Sequence, residues 1–169
     1  MSAADTRRFE SSLSDLGVSL TRTEADEFAA TIDSLVTEPA VGVPFEAHDG
    51  LSLADTVVET PPTPRLLKAA EVGVTPVGKA VAEYGTLVVD SDPVGTEPVS
   101  LYPPTHVAVV RESDVLPDVE AATDYLDGRF AAGGSSVFAT GVSSTGDMGA
   151  LVEGVHGPKH VEVVLITDR

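Results

Sequence analysis

The sequence predicts an α/β fold, with a sheet covered by helices on both faces. Several segments are continuous valine-rich runs, and residues 105–110 are the clearest of them. Runs of this kind are typical of strands that are buried on both faces. Segments with helical spacing of apolar residues alternate with these runs, which favours the α/β class. With 169 residues, the chain is long enough to form one domain with a sizeable core.

The N-terminal part of the chain is predicted to be helical. Residues 6–16 carry apolar side chains at helical spacing. Thr21 and Glu24 have the spacing of a capping box, which predicts a second helix that ends at the next proline. We therefore expect residues 1–38 to form a helical segment packed on a domain formed by residues 39–169.

Beyond that segment, predicted strands and helices alternate. The expected strands are residues 40–45, 53–58, 71–75, 79–89 (with a turn at Tyr84 and Gly85), 105–110, 136–140 and 160–167. The expected helices are residues 65–70 and 114–130. Glycine, proline and aspartate predict loops over residues 90–98 and 141–147.

The charge is strongly acidic, with 27 acidic against 10 basic residues and a net charge of −17. This balance argues against a nucleic-acid-binding protein, which needs a basic face. An apolar content of 42% separates the chain from acidic disordered proteins. A folded core under a dispersed acidic surface favours adaptation to molar salt, as in the acidic proteomes of halophilic archaea. The alternative is an acidic protein that works at ordinary salt.

Cysteine is absent from the sequence. This excludes cysteine ligation of an iron–sulfur cluster, thiolate zinc sites and disulfides within this chain. The four histidines show no recurrent ligand spacing, so we expect neither a metal site nor a cofactor. The N-terminus lacks the apolar core of a signal peptide, and no apolar run approaches membrane-spanning length. We therefore expect a cytoplasmic protein with no membrane span.

A loop of glycines and hydroxyls follows the predicted strand at residues 136–140. Gly141 and the next glycine have the spacing of a phosphate loop, but Asp147 stands where that loop needs lysine, which argues against a triphosphate site. Thr145 replaces the second glycine of a nucleophile elbow. What remains is a turn whose backbone N–H groups and hydroxyls, such as that of Ser143, can bind a carboxylate or phosphate. The alternative is an ordinary surface loop.

A second tight turn precedes the last predicted strand, at residues 156–159. Lys159 supplies the nearest positive charge, and His156 can act as an acid–base group or donate to an anion. The alternative is that His156 stabilises its own loop through a hydrogen bond with Asp147 or Glu153.

Two further groups lie near predicted strand ends. Glu83 enters a turn completed by Gly85 and Thr86, where a carboxylate can orient a ligand, act as base or nucleophile, or cap a helix. Tyr102 and His106 lead into a core strand and are candidates for a pocket wall. A histidine that heads an apolar strand is more often a hydrogen-bonded core residue.

These segments occur in an order that resembles the LUD domain of lactate-utilisation proteins, in particular the C-type subunit without iron–sulfur ligands. The segments that carry the resemblance are GVTP at 73–76, AVAEYGTLVV at 80–89, LYPPTHVAVV at 101–110, TGVSSTGD at 140–147 and GVHGPK at 154–159. The resemblance implies a three-layer α/β/α sandwich of the type shared by glucosamine-6-phosphate deaminase, ribose-5-phosphate isomerase and CoA transferases. It also implies a role in oxidation of L-lactate to pyruvate beside iron–sulfur partner subunits.

The resemblance also nominates site residues. The positions that match the family pattern are Glu83, Gly85, Thr86, Gly141, Ser143, Thr145, Asp147, His156 and Gly157. We assign catalytic roles to Glu83, Asp147 and His156, with Asp147 positioning His156. Ligand binding is assigned to the other matching positions together with Lys159. Ser144 stands where the family favours a basic residue.

Three functions remain open at this point. The leading hypothesis is an accessory subunit that binds a small anionic metabolite (lactate, pyruvate, or a phosphate or acyl compound) beside iron–sulfur subunits. A second is a stand-alone isomerase or CoA transferase-like enzyme that uses Glu83. A third is a non-catalytic interaction module with a vestigial pocket.

Overall fold

The computed structural model describes residues 3–45, 50–147 and 150–169. The described α-helices are α1 (Ala3–Asp15), α2 (Phe28–Leu35), α3 (Pro64–Ala69), α4 (Thr96–Leu101) and α5 (Thr123–Ala131). The described strands are β1 (Ser19–Thr23), β2 (Ala40–Gly42), β3 (Val72–Pro76), β4 (Lys79–Val81), β5 (Thr86–Ser91), β6 (Thr105–Arg111), β7 (Val115–Leu116), β8 (Ser135–Thr140), β9 (Ser144–Asp147), β10 (Ala150–Glu153) and β11 (His160–Ile166).

A parallel sheet with the order β1-β11-β6-β3-β2 forms the centre of the fold. In β6, Val107 and Val109 face one hydrophobic core, whereas Ala108 and Val110 face the other. Both faces of the strand are thus buried, and this is why its sequence is a continuous apolar run.

Helices cover both faces of this sheet. On one face, Phe28 and Ile32 of α2 enter the core, and the Phe28 and Phe45 rings lie 5.6 Å apart. On the other face, Phe9 and Leu13 of α1 are buried against the central strands. The three-layer α/β/α prediction is therefore confirmed.

A second sheet with the order β7-β4-β5-β8 packs on the α1 side of the central sheet. Leu87 and Val89 of β5 point into the core shared with the central sheet, and Val88 points the other way, toward Ala122 near α5. The sequence did not predict this sheet. An apolar pattern shows that a strand is buried, but it does not show which sheet the strand joins.

The second N-terminal helix begins later than predicted. Thr21 lies in β1, which pairs with β11 of the central sheet, and Glu24 makes no side-chain cap hydrogen bond. The capping-box prediction is wrong because backbone pairing with β11 holds this segment extended. The end of α2 before Pro39 agrees with the prediction.

The structure also differs from the sequence prediction at three other elements. Residues 53–58 form no strand. The helix expected from residue 114 begins only at Thr123, since β7 pairs with β4 in between. The first half of α4 was expected to belong to the loop over residues 90–98, yet the Asp92 side chain caps the helix by accepting from the Thr96 N–H at 3.0 Å. Pro98 lies in the first turn of α4, where a missing N–H breaks no helical bond.

Strands β9 and β10 form a separate antiparallel hairpin, with Asp147 opposite Ala150. Its apolar side chains are exposed, and Leu151 is 72% accessible. The hairpin occupies part of the segment that was expected to be loop. Among the described residues, no helix has the length and apolar character required to cross a membrane.

Candidate functional site

A cavity of about 210 Å³ lies between the central sheet and the second sheet. Its walls are formed by Val89, Ser100, Leu101, His106, Val137, Phe138, Ala139, Thr140, Gly141, Val142, Ser143, His156, Gly157, Pro158 and Val161. His106 and Val161 are the second residues of β6 and β11, so the cavity opens near the amino ends of the central strands. Doubly wound sheets usually bind ligands at the opposite, carboxyl ends.

The structure brings the two predicted turns together at this cavity. The Ser143 N–H donates to the Pro158 carbonyl at 3.0 Å, and the Gly154 N–H donates to the Ser143 carbonyl at 2.8 Å. Four predicted site residues therefore line one wall: Gly141, Ser143, His156 and Gly157. Because the Ser143 N–H is already bonded, it is not available as the backbone donor that the sequence suggested.

His106 forms part of the cavity wall although it is only 2% exposed. Its Nε2 lies 2.8 Å from the Thr75 hydroxyl on the neighbouring strand β3. Burial lowers the pKa of His106 from 6.5 to about 4, because a buried imidazole is costly to charge. The ring is therefore neutral at neutral pH. It is the hydrogen-bonded core residue that the sequence favoured, and it also lines the cavity.

The other wall residues with polar side chains are the exposed His156, Ser143, Ser100 and Thr140. The Ser100 hydroxyl donates to the Glu97 carbonyl at 2.7 Å, and Thr140 lies on the face of β8 opposite to Val137 and Ala139. Among the described residues, the wall contains no carboxylate, lysine or arginine. The side chain of Asp147, predicted to position His156, lies outside the part of the chain whose side chains are described. That role remains a prediction.

Glu83 and Gly85 lie next to helix α1, and neither they nor Thr86 line the cavity. Glu83 Oε1 accepts from Arg8 Nη2 at 3.1 Å and does not line the cavity. Thr86 is buried, and its hydroxyl lies 2.7 Å from the hydroxyl of Thr140 in the wall. None of these three predicted residues lines the cavity.

Lys159 and Thr145 also lie away from the cavity wall. Lys159 is exposed, and its side chain crosses directly over Gly154. Thr145 lies in the β9–β10 hairpin opposite Val152. In the described part of the chain, no group of three or more histidine, aspartate or glutamate side chains is placed to hold a metal.

Sequence reasoning left Ser100 and Thr140 out of the site and ranked His106 below the loop residues. Thr140 ends β8, and Ser100 lies in the unpredicted helix α4, so neither gave a motif of its own. The available signal for His106 was a polar ring in an apolar strand, which requires a partner or a ligand.

The family model of the LUD domain matches residues 63–166. This range is more than half of the chain and includes the cavity-lining strands. The chain belongs to the LUD domain family. The fold of this LUD domain is also that of a crystallised DUF162 family protein from Deinococcus radiodurans. The two share 23% identity and a TM-score of 0.75, with 98% of this chain and 99% of the other covered.

This LUD domain is similar to curated proteins named lactate utilization protein C. The Deinococcus radiodurans protein is 28% identical over 169 positions, covering 94% of this chain and 78% of that protein. The Bacillus subtilis protein is 35% identical over 105 positions, covering 59% and 44%. Lactate utilization protein C 1 of Bacillus mycoides is 32% identical over 110 positions, covering 62% and 47%. The chain thus spans about half the length of these Bacillus relatives.

Proposed function

We propose that this LUD domain is a subunit that acts in L-lactate utilisation and binds a short carboxylate metabolite in the cavity between its two sheets. The names of its relatives support the pathway. The observation that carries the ligand proposal is the cavity itself, where His106, His156 and Ser143 lie in a largely apolar wall. Such a mixture is typical of sites that bind small molecules.

The size and charge of the cavity support lactate or pyruvate over the other anions considered. Its volume of about 210 Å³ is below the range of about 300–1,000 Å³ of pockets for drug-sized ligands, so it does not enclose an acyl-CoA. A phosphate dianion is usually matched by arginine or lysine, and neither lines the described wall. A monocarboxylate with an apolar body fits this wall better.

His156 is the residue we propose to bind the carboxylate. It is exposed at the cavity rim, where water still solvates the charge of the ligand. An imidazole N–H that donates to a carboxylate makes a charge-assisted hydrogen bond, which is stronger than a neutral one.

The position of Glu83 gives little support to the alternative of an isomerase or CoA transferase-like enzyme. Its carboxylate is paired with Arg8 and lies outside the cavity wall. A base or nucleophile has to reach the reacting atom at hydrogen-bond distance.

Iron–sulfur partner subunits form the second part of the proposal. This chain has no cysteine, and iron–sulfur clusters are held mainly by cysteine thiolates. Electrons released by lactate oxidation are therefore expected to pass to another subunit. Co-purification of the tagged chain with cysteine-rich iron–sulfur proteins from lactate-grown cells tests this part separately.

Isothermal titration calorimetry with pyruvate and L-lactate tests the ligand part, using His156→Ala and the matched control His160→Ala. His160 is an exposed histidine that does not line the cavity. We expect His156→Ala to weaken binding about tenfold or more, because a hydrogen bond to a charged group contributes about 1.5–3 kcal/mol. His160→Ala should bind like the wild type. Absence of binding to the wild-type chain, or equal losses in both variants, would contradict the proposal.

A further inference from the structure

The His106 ring has one bonded nitrogen and one that has no partner among the described residues. Nε2 is bonded to the Thr75 hydroxyl at 2.8 Å. No hydrogen bond or ion pair engages Nδ1 within the described part of the chain. The ring is nevertheless 98% buried and lines the cavity. Nδ1 is not among the described side-chain atoms that are fully buried without a partner, so it keeps some accessible surface, and the cavity is where a ligand can reach it.

The Thr75 hydroxyl determines which ring nitrogen carries the hydrogen. Thr75 is fully buried, and His106 is the partner that the structure gives its hydroxyl. A buried hydroxyl needs an acceptor for its hydrogen. Thr75 therefore donates to Nε2, and the hydrogen of the neutral ring lies on Nδ1. His106 thus presents a fixed N–H donor to the cavity.

We propose that His106 determines ligand specificity by donating from Nδ1 to the oxygen on C2 of a short 2-oxo or 2-hydroxy monocarboxylate. This inference rests on the proposed function, because it names the ligand class of the same cavity. The carboxylate lies at the rim beside His156, and the C2 oxygen lies inside at His106.

The surroundings of the two histidines set this orientation. A neutral ring supplies no net charge to balance a carboxylate, and Val89, Val137 and Val161 line the wall around it. Burying a carboxylate among apolar side chains is far more costly than burying a carbonyl or hydroxyl oxygen that receives a hydrogen bond. The charged end of the ligand therefore stays at the exposed rim.

An acid without the C2 oxygen leaves the Nδ1–H without a partner. Sites built to hydrogen-bond a ligand oxygen reject analogues that lack it, because a buried donor is then left unsatisfied. Propionate has the carbon number of lactate and pyruvate but no oxygen on C2. It is therefore the matched ligand for the test.

Calorimetric titration of pyruvate, L-lactate and propionate into the wild type, Thr75→Val and Thr23→Val tests the inference. Thr23→Val is the control, since Thr23 is a buried strand threonine that bonds the Thr31 hydroxyl, away from the cavity wall. The wild type and Thr23→Val should bind pyruvate or L-lactate about tenfold more tightly than propionate. Thr75→Val should reduce this ratio to about threefold or less and leave propionate affinity unchanged, because the hydrogen is no longer held on Nδ1.

The outcomes separate this inference from the proposed function. Equal affinity of the wild type for all three acids overturns the role of His106 and leaves carboxylate binding intact. Absence of binding by any of them overturns the proposed function, and this inference with it. If Thr75→Val does not fold, ¹⁵N NMR of the wild-type imidazole shows which ring nitrogen of His106 carries the hydrogen. A hydrogen on Nδ1 of His106 supports the inference, and a hydrogen on Nε2 overturns it.

Discussion

The two histidines of the cavity occupy opposite environments. His106 is buried and hydrogen-bonded to a buried threonine, and His156 lies exposed at the rim. In the proposed site, the first donates to the C2 oxygen of the ligand, and the second binds the carboxylate. They lie in a wall that carries no lysine or arginine among the described residues, which is why the proposed ligand is a monocarboxylate.

Burial of His106 predicts acid sensitivity of the folded state. Its pKa is about 4 in the folded state against 6.5 for an exposed ring, so the unfolded chain binds more protons between these pH values. Stability from this residue is complete above pH 6.5 and is lost as the pH falls to about 4. We expect a loss of about 3 kcal/mol across this window.

Urea unfolding at fixed salt between pH 7 and pH 4 measures this loss. His106→Gln removes the buried titrating group. The change in its free energy of unfolding between pH 7 and pH 4 should therefore be about 3 kcal/mol smaller than in the wild type. His160→Gln is the control, because His160 is exposed. It should keep the wild-type pH dependence. The same pH dependence in His106→Gln and the wild type would refute the prediction.

At the scale of elements, helix α1 packs closely on the turn between β4 and β5. The Ser12 hydroxyl donates to the Ala82 carbonyl at 2.8 Å. Gly85 has a φ of +65°, and a Cβ atom there would lie 3.2 Å from the backbone N of Leu13 and 3.0 Å from Leu16 Cδ1. The turn therefore needs a residue without a side chain, both for its conformation and for the contact with α1.

Gly85→Ala is expected to destabilise the protein more than Gly133→Ala. Gly133 has a similar φ of +77°, but nothing lies within 4 Å of its Cβ position. In both variants the free energy of unfolding should fall by about 1–2 kcal/mol, because alanine is strained in the left-handed conformation. Gly85→Ala should lose about 1–3 kcal/mol more, because the contact with α1 is overpacked. Chemical unfolding measures both changes, and equal losses would show that α1 does not press on this turn.

Some elements follow from their own sequence pattern, and others do not. Strands β6 and β11 were predicted well, because residues buried on both faces give a continuous apolar run. Strand β7 and helix α4 were not predicted. β7 contains two residues and exists because β4 pairs with it, and α4 begins at a cap from Asp92 within a proline-rich segment. Such short elements depend on tertiary contacts more than on their own pattern.

At the scale of the whole molecule, acidic charge exceeds basic charge by 17. Like charges repel one another across a compact surface, and the repulsion is weaker once the Debye length is short. The described ion pairs neutralise some of this charge locally, as in the pair of Lys79 with the buried Asp114. Adaptation to high salt remains a prediction from composition.

The free energy of unfolding should increase when KCl is raised from about 0.1 M to molar concentrations. Screening reduces self-repulsion in the folded state, where the Debye length falls from about 10 Å to about 3 Å. Sucrose at matched osmolality is the control, because it stabilises by exclusion from the surface without screening charge. If KCl raises the free energy of unfolding no more than sucrose does, the result would favour an acidic protein that works at ordinary salt.

The sequence alone determined the α/β class, the central strands other than β1, and the family, because burial patterns and short motifs are properties of consecutive residues. It also paired the turn at Gly141 with the turn at His156, and the structure places both at one cavity. Tertiary structure decided that Glu83 faces Arg8 and that His106 faces the cavity. The physical reason is sheet order: His106 meets Thr75, 31 positions away, because β3 and β6 are neighbours.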